Sequence, residues 1–311
     1  MAAADFKDRL LDGLGGPWPE CGPLDARTVQ SRQEDGYRME LLSYLTEPGE
    51  RVTAWLLVPD KATQEHPVPG ICVWHQHNGQ WHLGKSEPAG LAGSQMHHTG
   101  VALAQEGFVV LCPDAWGFED REKGYRLKGG QLERFLFLKQ VVAGRSMAWK
   151  NILDMRRAVD LICTRPEVDS EHLGCYGHSM GSTHSWLVGP WEPRLKALVG
   201  NCCLPTYAAI HEHHMLHCFP NFVPGIYEHG DTPDIAALIA PRALHLNLGE
   251  NDGGSPIAQA REGVRTIQRA YESMHAEDKF SYFIEPKTGH VLSPRMWAKT
   301  REFFIRHLRN A

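Results

Sequence analysis

One pentapeptide constrains this chain more than any other feature. Gly177-His178-Ser179-Met180-Gly181 stands between an apolar β-forming run, HLGCYGH (172–178), and a helix-compatible stretch that opens at Ser179. Glycines two before and two after the serine permit a tight strand-to-helix turn, because a Cβ at either place would collide with the neighbouring strand or helix. Such a turn lifts the hydroxyl clear of its own backbone, which a weak nucleophile needs if a base is to reach it. The start of the helix also leaves the Met180 N–H without an intrahelical acceptor, aimed where an oxyanion would form. The same five letters occur in glycine-rich turns with no chemistry. The strand before them and the helix after them favour the nucleophile.

Similar alternation runs through the rest of the chain. The apolar runs PGICVWH, FVVLCPD, ALVGNCC, RALHLNLG and KFSYFIE read as strands. Between them lie helical stretches: VALAQEG, a segment with Ile152, Met155, Val159 and Ile162 in step, a helix from about 257 to 274, and the final SPRMWAKTREFFIRHL. Short apolar strands separated by helices imply parallel pairing with crossovers on both faces. YRMELLSYL and RVTAWLLVP, joined around Pro48-Gly49, form a hairpin ahead of them. The expected architecture is a single α/β domain over 1–311: a doubly wound, mostly parallel sheet with an N-terminal antiparallel hairpin. Residues 1–30, with Phe6, Leu10, Leu11 and Leu14 in one amphipathic stretch, form an N-terminal arm. Two irregular, histidine-bearing segments interrupt the pattern, 76–100 and a lid-like insertion at 204–235. Both follow strands, so both belong at the carboxyl edge of the sheet, where open α/β folds bind ligands.

Asp252 and His290 also fall just past strands, in GENDGG and TGH. In chain order they follow the serine as acid and base of a triad. His290 would take the Ser179 proton and return it to the leaving group, while Asp252 would orient the imidazole. Glu250 is the alternative acid. The loop His75-Gln76-His77-Asn78-Gly79 offers the second oxyanion donor, first the amide of His77 and then that of Gln76. Gln76, Trp116 and His178 are candidate substrate contacts. Trp116 and Phe118 either wall the pocket or simply pack their loop. The run Phe118–Arg121 (FEDR) reads as an internal ion pair that holds this loop. His211, His213, His214 and His217 have spacing that could ligate a metal on a helix, but no carboxylate or cysteine frame completes a set. A polar lid is the favoured reading, and likewise for His97-His98. No cofactor or metal is expected.

Charge excludes other classes. The chain has 32 basic and 37 acidic residues, a formal charge of -5, which does not suit a general nucleic-acid binder. No run approaches the roughly 20 apolar residues that span a bilayer, and MAAADFKDRLLDGLGG lacks the apolar core of a secretory signal. The eight cysteines are scattered through apolar runs with no CxxC pair, as buried free thiols of a cytoplasmic protein would be. The expected partner is a small-molecule ester, with no nucleic acid or membrane; a homo-oligomer is left open.

These pieces together resemble the dienelactone hydrolase-like and acetyl xylan esterase-like branch of the α/β-hydrolases. The matching segments are HQHNG, LAQEGFVVLCPDAWGFEDR, RRAVDLICTRPEVDSEHLGCYGHSMGS, GENDGGSP and the GH before FFIRHL, spanning roughly 35 to 310. The resemblance implies a Ser179, Asp252 and His290 triad with the Met180 and His77 amides as oxyanion hole. Two departures stand out. Dienelactone hydrolases proper use a cysteine where this chain has Ser179, and His75-Gln76 stands where relatives often have His-Gly. The expected activity is that of a serine esterase on a small carboxylic ester. An amidase or peptidase with the same triad, or a binding protein that has kept the fold, are the alternatives.

Overall fold

The computed structural model describes residues 3–309. Helix α1 (Ala3–Leu14) precedes strands β1 (Arg27–Glu34), β2 (Tyr37–Glu47), β3 (Glu50–Pro59) and β4 (Val68–Trp74). Helix α2 (Thr99–Gln105) leads to β5 (Val109–Pro113), and helices α3 (Gly129–Val142) and α4 (Met147–Cys163) lead to β6 (Val168–His178). Then come α5 (Met180–Val188), β7 (Leu195–Asn201), α6 (Tyr207–Glu212), α7 (Thr232–Ala237) and β8 (Ala243–Gly249). The chain closes with α8 (Ile257–Ser273), β9 (Phe280–Glu285) and α9 (Pro294–Phe304). Among the described residues the strands form one nine-stranded sheet in the order β1-β2-β3-β5-β4-β6-β7-β8-β9.

Pairing is antiparallel from β1 to β5 and parallel from β5 through β4 to β9. The central parallel strands β4, β5, β7 and β8 are buried along almost their whole length because both of their faces are covered, whereas the edge strand β9 is half-exposed. In β4, Cys72 and Trp74 point into one core with Ile152, Trp186 and Val264, while Ile71 and Val73 point into the other with Leu103 and Phe304. That two-residue alternation on one strand makes the sheet two-sided. No helix among the described residues is long and apolar enough to cross a membrane.

Two elements depart from the expected architecture. β1 lies partly within the stretch read as an arm, so the expected hairpin is the inner part of a three-stranded meander. Its residues, RTVQSRQE, are exposed along almost the whole strand, and an exposed edge carries no apolar alternation to read. The arm does pack on the body through Phe6, Leu10 and Leu14. The second is α3, which sequence periodicity did not reveal.

The FEDR run sits in a buried charge network. Lys85 Nζ lies 2.9 Å from Asp114, 2.6 Å from Glu119 and 2.9 Å from Asp120. Arg121 bonds Asp154 at 2.6 Å and also Glu50, and Lys150 bonds Asp154 at 2.7 Å. Ionised groups this deep persist only when paired, and here the pairing ties the loop after β5 to the β2–β3 turn and α4.

Candidate active site

β6 ends at the centre of the carboxyl edge and delivers Ser179 into a left-handed conformation, φ 58° and ψ -118°. That backbone is costly for any residue with a Cβ and survives only where its surroundings enforce it. They do so through packing: a methyl at Gly177 would run into the carbonyl of Gly181, and one at Gly181 into that of Trp74. The Ser179 amide is also held, donating to Asn201 O at 2.9 Å. Met180 begins α5, so its N–H has no acceptor within the helix.

The three dispersed residues meet here. Ser179 Oγ lies 2.8 Å from His290 Nε2, and His290 Nδ1 lies 2.8 Å from Asp252 Oδ2. Asp252 is buried, and its other oxygen accepts the Gly254 amide at 2.8 Å. Glu250 points elsewhere, accepting the Lys287 amide at 3.0 Å. The loop bearing His290 is fastened by a buried thiol, with Cys202 Sγ donating to Val291 O at 3.0 Å. All eight cysteines are free.

Hydrogen-bond partners orient the neighbouring imidazoles. The Ala115 amide donates to His75 Nε2 at 3.0 Å, so the proton sits on Nδ1 and goes to Gln76 O at 2.8 Å. Burial lowers the His75 pKa to about 4. The Gly79 amide donates to His77 Nδ1 at 2.9 Å, leaving Nε2–H to bond Glu133 Oε2 at 2.8 Å. Trp81 Nε1–H reaches the same oxygen at 2.8 Å. His217 accepts from the Asn221 side chain at 2.9 Å and donates from Nε2 to Gly254 O at 3.0 Å. His178 is driven well below the usual imidazole range by burial and by the facing rings of His97 and His290, 4.7 and 5.2 Å away.

The remaining candidates fall in different places. The His77 amide belongs to the peptide whose carbonyl accepts from His75 Nδ1, which fixes the orientation of that peptide. Gln76 is buried, and its side-chain amide donates to Glu87 at 2.9 Å. Trp116 packs with Leu132, Leu136 and Met147 in a small separate core and also lines a small cavity with His75 and Ala115. Phe118 is buried edge-on against His75 and His77. His178 lies beside His290. Of the lid histidines, His217 turns toward the Asp252 loop and His211 toward Tyr227. Among the described residues no three His, Cys, Asp or Glu side chains are grouped to hold a metal.

Glu133, Trp81 and Asn201 were not anticipated. Glu133 could have been suspected as the lone carboxylate inside the apolar run QLERFLFL.

Comparison with known proteins bears on the family and the fold. Residues 54–215, just over half the chain, match the model of the dienelactone hydrolase family. The hydrolase-like protein YtaP of Bacillus subtilis (strain 168) is 29% identical over 280 residues, 86% of each chain. A Bacteroides fragilis NCTC 9343 structure assigned as an acetyl xylan esterase superposes with a TM-score of 0.73 at 15% identity, covering 91% of this chain and 74% of that one. A glucuronoyl esterase from Solibacter usitatus gives 0.67 at 14% identity, covering 97% and 91%. At those identities the structural likeness shows the fold, that of the α/β-hydrolases.

Proposed function

The chain belongs to the dienelactone hydrolase family, and on that premise we propose a serine esterase that cleaves a small carboxylic ester through an acyl-enzyme. The observation that carries this reading is the pair of 2.8 Å contacts joining Ser179, His290 and Asp252 on a strained strand-to-helix turn. His290 Nε2 takes the Ser179 proton as Oγ attacks the ester carbonyl. The Met180 and His77 amides receive the oxyanion, each worth about 3 kcal/mol of barrier. His290 then hands its proton to the departing alkoxide, leaving an acyl-serine and a neutral base. Water, deprotonated by the same nitrogen, releases the acid and restores the hydroxyl. Asp252 keeps the imidazole in the required tautomer and balances its transient charge.

The activities for which two of the structural relatives are named, acetyl xylan and glucuronoyl ester cleavage, support a carboxylic ester as the substrate class. Matched p-nitrophenyl acetate and p-nitroacetanilide test the bond type: rapid ester and negligible anilide cleavage is expected. Comparable rates would make the enzyme an amidase. A fluorophosphonate probe should add to the peptide containing Ser179. Absence of both labelling and ester turnover would leave only a binding protein on this fold.

Glu133 enters this scheme as a positioning residue, through His77. Glu133→Ala leaves two partly buried donors without their acceptor, at a cost of about 1–2 kcal/mol, and loosens the loop that carries the oxyanion amide. The expected result is a fall in kcat of about tenfold at little-changed KM, largely restored in Glu133→Gln, which keeps an acceptor oxygen. Equal losses in Ala and Gln, or a change confined to KM, would remove Glu133 from this role.

A further inference from the structure

Helix α3 is inverted relative to an ordinary surface helix. Its inner face buries Glu133 and Gln140 beside Leu132 and Leu136. On its outer face Phe135, Leu138, Val141 and Val142 are 45%, 51%, 47% and 89% exposed. Helices that face water normally carry their charges outward and their apolar stripe inward. The apolar surface continues past α3 into a groove of about 390 Å³ shared by Phe137, Val141, Tyr207, Phe222, Val223 and Tyr227. The patch is on the order of 500 Å², near the upper end for a lone monomer and a large part of the roughly 800 Å² per partner in a standard interface.

We infer that this face is the two-fold interface of a homodimer, in which α3 packs antiparallel on its own copy about Leu138. The spacing of the stripe makes it complementary to itself. With Leu138 on the axis, Phe135 of one protomer faces Val141 of its partner, large against small. Leu138 meets its own image, as an isologous contact requires. Arg134, four residues before the axis, meets Val142 in the C-terminal turn of the partner helix, where a cation is favoured by the helix dipole. No carboxylate among the described residues pairs with Arg134 in its own protomer. An anionic lipid surface is the competing occupant, because Arg134 and Lys139 are both exposed on this helix, and it is one outcome of the test.

Multi-angle light scattering of the purified chain tests this. The wild type should elute at twice its 34.9 kDa mass, and Leu138→Glu, a change at an exposed position that leaves the core intact, at the single mass. Leu138→Cys should form a disulfide-linked dimer on mild oxidation beyond any wild-type background. Val29→Cys, equally open at 61% exposure on the edge strand β1, should not. A wild type of single mass overturns the interface, as does a dimer that survives Leu138→Glu while Leu138→Cys fails to cross-link. A monomer that floats with phosphatidylglycerol vesicles through these same residues would also overturn it, in favour of a lipid surface.

Discussion

Ser179→Ala is expected to lower p-nitrophenyl acetate turnover by roughly 10^5-fold or more, to the rate set by the pocket and oxyanion amides alone, with the thermal transition unchanged or slightly raised. Little else at the elbow could take over. The next hydroxyls are already committed, Ser182 donating to Cys203 O at 3.0 Å and Thr183 to Asn221 Oδ1 at 3.1 Å. The methyl in place of Oγ would relieve no packing constraint, because the φ of 58° at this position is imposed by Gly177 and Gly181 rather than by the hydroxyl. Steady-state kinetics on the purified variant, with a melting curve beside it, settles the matter. Turnover near that of the wild type would move the nucleophile away from the pentapeptide.

Asp252→Asn should cost about 10^4 in kcat. The carboxylate has two tasks, accepting from His290 Nδ1 and accepting from the Gly254 amide. An asparagine can perform only one of them with its single oxygen. If the amide NH2 faces His290, the imidazole is pushed into the tautomer that holds a proton on Nε2 and cannot accept from Ser179. Glu250→Gln should leave kcat within about twofold, since Glu250 is part-exposed and its contacts are surface ones. The opposite pattern, with Glu250→Gln crippled and Asp252→Asn nearly normal, would make Glu250 the acid.

Much of this was legible in the letters because the sheet carries it. Most parallel strands contain an apolar run buried on both faces, the edge strand β9 being half-exposed but still rich in Phe, Tyr and Ile, and Ser179, Asp252 and His290 each follow such a strand. Placing the strands side by side therefore brought their ends together. The elements that escaped are those whose environment reverses the usual signal. β1 is exposed almost throughout, so alternation is absent. In α3 the carboxylate and amide are inside and the phenylalanine and valines outside, which cancels the amphipathic signature. Glu133 went with it, because its partners His77 and Trp81 are more than fifty residues away and no local pattern links them. His217 was visible, but only as one of four histidines that a helix could have aligned. Its actual bond, to a carbonyl beside Asp252, depends on how the lid folds back.

That bond has a consequence for how such an enzyme could diversify. His217 grips Gly254, and Gly254 in turn grips Asp252, so the segment that would choose among acyl groups is bolted to the carboxylate that, on the proposed mechanism, steadies the base. Remodelling the lid for a new substrate therefore risks detuning the proton relay. Successful variants would have to rebuild the grip on that turn before a new preference could be selected.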